Sequence, residues 1–323
     1  MDTAARVLRK REDGFIQDLL AAYEEAGQSV TQAINSVYLD LGEGNWNYAT
    51  FTQQGRNQDL LAEIHKHIAA LNEKAIQITG DGMVDQYQQS ASRSLHLLDQ
   101  ATPGNIDPNF IELGDPAVQA LVSSPYEGAV FSQRIGHISD MMADEIKHEL
   151  TQSLMSGDSM PEARDRVLGV IGDEDGGNAY RAEVIARTEI MRASNMGREA
   201  VYDANSDIMD GDGENDVWLA SADDRLCPWC MRRDGKKFGD IENDADDPFE
   251  DSVEQPLHPN CRCTSIPALK SWEDLLGVDM PEDMGPDERG MRDEDGKWIY
   301  APVEDFDDWK QGKMLPSNER EDV

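Results

Sequence analysis

The 323-residue chain is poor in cysteine, poor in lysine and free of long hydrophobic runs. No stretch approaches the ~20 consecutive apolar residues of a membrane-spanning helix. The basic opening, Met1 to Arg11, leads into no apolar segment of the secretory type, so no secretion signal is expected. Positive charge is scarce: 29 Lys and Arg face 65 Asp and Glu, a formal charge of −36. That deficit argues against a protein that coats nucleic acid through phosphate contacts, and against binding to anionic membranes by charge. Internal repeats are also absent. The length is that of about two domains and is ample for a buried core.

What is present in excess is acid. Of the 65 acidic residues 39 are Asp, and 19 of the 29 basic residues are Arg. A chain so charged repels itself at low ionic strength. At ~1 M salt the Debye length is only about 3 Å and most of that repulsion is screened. The composition therefore points to work at high salt, in a halophilic cell or its virus; the alternative is an ordinary acidic protein.

Apolar residues recur at helical spacing through the first ~200 residues. One stripe runs through Leu8, Phe15, Ile16, Leu19, Tyr23, Val30, Ile34 and Leu41, and the Gly42–Asn45 stretch breaks it. A second runs from Leu60 to Leu98, with Gly80-Asp81-Gly82 as a candidate kink or split. Residues 101–116 are rich in Pro and Gly and read as loop. A third helix follows from Phe131 to Leu154, closed by Gly157. Ser159-Met-Pro-Glu162 has the form of a capping box that opens a short helix. One more helix is expected over 178–205. The five histidines of this half (His65, His67, His96, His137, His148) show no helix-phased metal pattern and read as surface residues.

Beyond residue ~206 the texture changes, and residues 201–323 carry 13 basic and 34 acidic residues. The expected fold is mainly α: a long-helix region over 1–100 and further helices over 101–205. A small α+β zinc-knuckle unit, with short β-hairpins around a site, is expected over 206–270. An extended acidic arm bearing Trp272, Trp298 and Trp309 follows over 271–323.

All four cysteines lie in that small unit. Cys227-Pro-Trp-Cys230 is followed by His258-Pro-Asn-Cys261-Arg-Cys263. A Cys-x-x-Cys turn aims two thiolates at one point, and a second knuckle closes a tetrahedral site. Zinc suits a mixed thiolate and imidazole set. Five donors compete for four positions: Cys227, Cys230 and Cys263 are the firmest, and Cys261 or His258 supplies the fourth. A region this poor in core-forming residues needs such a structural staple. Two disulfides, a thioredoxin-type dithiol and a His-dependent zinc nuclease are the competing readings. The first lacks a secretion signal, the second a β-α-β setting, and the third a second histidine.

Two neighbouring features are weaker. The Asp210–Asp216 segment resembles a calcium loop, yet Asn215 stands where an EF-hand needs Gly and Ser221 where it needs Glu. It reads as an acidic turn. Arg232, Arg233, Lys236 and Lys237 form the only basic cluster in the acidic half, a candidate surface for an anionic partner or a local counterweight to carboxylates.

Two stretches taken together carry a family resemblance. One is Ile185-Ala-Arg-Thr-Glu-Ile-Met-Arg-Ala-Ser-Asn-Met-Gly-Arg198. The other runs from Trp218 through Asp224-Arg225 and Cys227-Pro-Trp-Cys230 to His258-Pro-Asn-Cys-Arg-Cys263. Over roughly residues 125–267 the chain resembles the phage head morphogenesis family of minor capsid proteins, the SPP1 gp7-like and Mu gpF-like proteins. The resemblance implies a virion component that binds portal or major capsid protein during head assembly and is present in multiple copies. It also implies an association with packaged DNA. No enzymatic role is expected, since no acid–base pair or nucleophile stands in a recognisable setting. The shared motif residues are Arg187, Thr188, Glu189, Arg192, Asn195, Trp218, Asp224 and Arg225. Glu189, Arg192 and Asn195 fall at successive steps of three, so neighbouring pairs share a helix face. Pairing with Asp223, Asp224 or Arg225 would fix the small unit on the helical one; the alternative is a simple solvent-exposed salt-bridge face that contributes little.

Overall fold

The stripe that begins at Leu8 lies on one helix. In the computed structural model α1 spans Asp2–Leu41 and ends where Gly42 turns to φ +79°. Residues 2–42, 46–53, 56–104, 106–109, 115–126, 128–172, 177–221, 226–241, 246–249, 252, 254–277, 288–292 and 297–302 are described. A short α2 (Tyr48–Gln53) precedes α3 (Arg56–Ala101), and α4 (Asp115–Ser123), α5 (Phe131–Ser156), α6 (Met160–Ile171) and α7 (Asn178–Ala204) follow. Then come β1 (Val217–Leu219), α8 (Pro228–Arg233), β2 (Thr264–Ile266), α9 (Trp272–Leu276), β3 (Glu288–Arg292) and β4 (Trp298–Pro302).

Gly80 and Gly82 neither split nor end α3. At Gly82 the missing side chain is a packing feature. A Cβ on Gly82 would lie 2.8 Å from Ile190 Cδ1 and 3.1 Å from Phe15 Cγ, so only glycine lets those side chains approach. Gly157 does end α5, in the left-handed conformation at φ +77°. The Glu162 carboxylate accepts the Ser159 backbone N–H at 2.7 Å, as the capping-box reading requires.

The chain forms two compact units, each assembled from segments distant in sequence. One comprises residues 9–84 and 119–190. Its buried side chains are the stripe residues themselves: Ile16, Leu19, Tyr23, Val30 and Ile34 of α1, Leu60, Ile64, Ile68 and Leu71 of α3, and Ile135, Met142, Ile146 and Leu150 of α5. Each such burial contributes about 1.5–3 kcal/mol, so packing rather than intrinsic propensity holds these helices. Cross-helix polar ties include Lys74 to Glu25 at 2.7 Å and Ser139 to Asn72 at 3.1 Å.

The other unit comprises residues 1–8, 85–118 and 191–323. Ala91, Leu95 and Leu98 of α3 pack with Val201, Ile208 and Met209. A Cβ on Gly197 of α7 would collide with the Tyr87 carbonyl oxygen, which requires glycine at that approach. The strands of the small region do not form the expected hairpin. β1 pairs antiparallel with β2, 45 residues further on, in the register Val217 with Ile266 and Leu219 with Thr264. The C-terminal arm is not wholly extended, because β3 and β4 form an antiparallel ladder from Glu288–Pro302 to Arg292–Trp298. Trp309 lies outside the described residues.

Candidate metal centre

The first knuckle forms because Cys227 is the N-cap of α8 and Pro228 its first residue, a position that needs no backbone donor. The Cys227 Sγ accepts the Cys230 backbone N–H at 3.3 Å. Spacing of three then puts Cys230 and Arg233 on the buried face of α8, and Trp229 with Arg232 on another. The second knuckle is a turn in which the His258 carbonyl accepts the Cys261 N–H at 3.0 Å. Asn260 occupies the left-handed region at φ +62°, which Asn tolerates better than most residues. Cys263 sits just before β2. The fully buried Trp218 shares one hydrophobic cluster with Leu257, Cys230, Cys261 and Cys263.

All five sequence-predicted donors come together. They form two overlapping triads, Cys227–Cys230–His258 and Cys230–Cys261–Cys263, with ligand atoms within 4.8 Å of one another in each. His258 Nε2 lies 3.1 Å from Cys227 Sγ and 3.3 Å from Cys230 Sγ, and Cys230 Sγ lies 3.8 Å from Cys261 Sγ. The cysteines are unbonded. A tetrahedral zinc ion with bonds of about 2.3 Å to sulfur and 2.0–2.1 Å to nitrogen spaces its ligands at about 3.8 Å for S···S and 3.5 Å for S···N. These three separations match such an ion to within a few tenths of an ångström. The imidazole is oriented for it too: Nδ1 is 2.8 Å from the Pro259 carbonyl, and donating there leaves Nε2 its lone pair.

Charge within the sulfur cluster is unevenly held. Hydrogen bonding of its thiol to Cys261, and then to Cys263, with burial, raises the Cys230 pKa. Hydrogen bonds from the Cys230 thiol, and then from the Cys263 thiol, lower the Cys261 pKa.

The motif residues on α7 prove to be mostly interior. Glu189 is completely buried and takes a 2.8 Å ion pair from Arg134 of α5. Arg187 meets Glu183 at 2.8 Å and Glu12 and Asp13 at 3.1 Å. Burial works against the Arg187 charge, but those carboxylates outweigh it and raise its pKa. Thr188 turns its hydroxyl onto the Val184 carbonyl at 2.7 Å, and Arg192 is buried. Asn195, 2% exposed, donates from Nδ2 to the Cys263 carbonyl at 3.3 Å and accepts from Arg198 on Oδ1. It thereby ties α7 directly to the second knuckle. Asp223, Asp224 and Arg225, the expected partners of this helix, lie outside the described residues.

The basic cluster is smaller than expected. Arg233 does not belong to a surface patch. It is 2% exposed, pairs with Asp247 at 2.6 Å and donates to the Phe249 carbonyl at 2.8 Å. Arg232 lies over the Trp229 ring at 4.9 Å, Lys237 donates to Asn215 at 3.0 Å, and both are exposed together with Lys236.

The segment from the middle of α5 to the last residue of β2 holds every donor and the whole α7 motif. Residues 144–266 match the family model described as Phage Mu protein F like protein. The match supports the phage head morphogenesis family and covers just over a third of the chain. No curated protein and no solved structure gives a significant match. Among the described residues, no helix is long and apolar enough to cross a membrane. Within the Phage Mu protein F-like segment, sequence reasoning missed the Arg233–Asp247 pair and Arg134 as the partner of Glu189. The first was signalled by the three-residue step from Cys230 to Arg233. The second, across 55 residues, had no local signal.

Proposed function

We propose that the chain is a structural minor capsid protein of a tailed virus, acting in head assembly at the portal or inner capsid. Its partners are portal protein and/or major capsid protein. It resides in the virion in multiple copies, in the host cytoplasm during assembly, and takes part in DNA packaging or ejection. The observation that carries this reading is the Phage Mu protein F-like match, which embraces both knuckles and α7 together. Peptide-level quantification in purified virions is expected to find the chain in a few copies per portal. Its absence from virions would contradict the proposal.

The Cys/His cluster holds, in this reading, one zinc ion as a structural staple. Zinc supplies no reaction here, only fixed geometry between the two knuckles. A nuclease would need a histidine beside an open metal position, and the only histidine beyond residue 148 is His258. Its two ring nitrogens already face sulfur and a backbone carbonyl. A redox dithiol would leave the second knuckle unused. The family match favours a structural role over either enzyme.

Two further proposals follow from charge. Arg232, Lys236 and Lys237 offer a short exposed surface for an anionic partner, without Arg233. The −36 charge fits a halophilic setting. Helicity by circular dichroism should rise as salt increases from ~0.1 to ~3 M, as screening removes self-repulsion. Full helicity already at the low end would contradict that setting.

A further inference from the structure

Five donors surround a site that a tetrahedral ion fills with four, and the two turns distinguish among them. We infer that the ion is held by Cys227, Cys230, His258 and Cys261, and that Cys263 is a backbone anchor outside the coordination sphere. This rests on the zinc reading above. Cys227 and Cys230 occupy the ends of one three-residue step, and His258 and Cys261 the ends of another. Each step is closed by a hydrogen bond from its own last residue: Cys230 N–H to Cys227 Sγ, and Cys261 N–H to the His258 carbonyl. Such turns fix both ligands of a pair toward one point and need nothing else from the fold. Across the two turns His258 Nε2 lies 3.1 Å from Cys227 Sγ and 3.3 Å from Cys230 Sγ, and Cys230 Sγ lies 3.8 Å from Cys261 Sγ, close to the ligand spacing of one tetrahedral ion.

Cys263 is placed differently. It lies on the run into β2, and its position is set by the sheet and by α7. Its carbonyl receives the Asn195 amide at 3.3 Å, and the next carbonyl, that of Thr264, receives Gln255 Nε2 at 2.9 Å. Its side chain, 1% exposed, belongs to the cluster around Trp218. A buried thiol there packs beside the sulfur-bearing residues of both turns, as an outer partner of ligating thiolates does.

The test is cobalt substitution of the full chain in high-salt buffer. Wild type should take one Co²⁺ with charge-transfer intensity for three thiolates. Cys263→Ser should keep that intensity, with affinity lowered no more than the ~10–100-fold typical of outer partners. Cys261→Ser should lose one third of the intensity. Because Cys261→Ser can also fail to fold, wild type loaded with ¹¹³Cd provides an independent readout. Scalar coupling from cadmium should reach Cys227, Cys230, Cys261 and His258, and not Cys263. Coupling to Cys263, or a four-thiolate spectrum, overturns the assignment. Wild type that binds neither Co²⁺ nor Cd²⁺ overturns the metal reading itself.

Discussion

Cys230→Ser is expected to abolish metal binding and to unfold the region around Trp218, leaving most helical signal in place. Cys230 is the residue common to both donor triads, and it is 1% exposed. Structural zinc contributes apparent folding energies of about 10–16 kcal/mol at neutral pH in small domains, more than β1, β2 and α8 can replace. These elements are three, three and six residues long. Loss of the site should appear as loss of the near-ultraviolet circular dichroism of the buried Trp218, and a strong chelator should do the same to wild type. Met231→Ser, one residue further on but 60% exposed, should change neither signal. A Cys230→Ser protein with native near-ultraviolet dichroism would mean that the apolar cluster alone sustains the region.

Glu189→Gln is expected to lower the melting temperature by on the order of 10 °C, from a loss of about 3–5 kcal/mol. The carboxylate is wholly buried and its Arg134 partner is 17% exposed, so the variant leaves a poorly hydrated guanidinium without its counter-charge. Replacing both partners, as Arg134→Met with Glu189→Leu, should recover much of the loss, because a buried pair exchanged for apolar groups of similar volume is often neutral. Scanning calorimetry of Arg134→Met, Glu189→Leu and the double variant measures the coupling. Additive losses would show that the two side chains act independently.

These two sites differ in how far the sequence disclosed them. The knuckles are local patterns, since the ligands of each pair stand three residues apart and the turn brings them together. The long helices were equally open to reading, because their buried residues repeat with the helical period over 26 to 46 residues. Short helices such as α2 and α4, six and nine residues long, are too brief for that period to register. Gly82 misled for a physical reason: glycine weakens a helix in isolation, but here close approach of Phe15 and Ile190 offsets the loss. Arg233 looked like surface charge until the face of α8 was considered, where the three-residue step from Cys230 turns it inward. Glu189 with Arg134, and β1 with β2, join residues 55 and 45 to 49 apart, and no local pattern specifies such pairings.

Native mass spectrometry of the purified full chain tests the central claim, a structural metal staple within a head-morphogenesis segment, most directly. One zinc ion per chain, fully reduced cysteines, and a shift to highly charged, unfolded-like ions when a chelator strips the metal are expected. A metal-free chain with a compact charge distribution, or one lighter by the hydrogens lost to two disulfides, would contradict it.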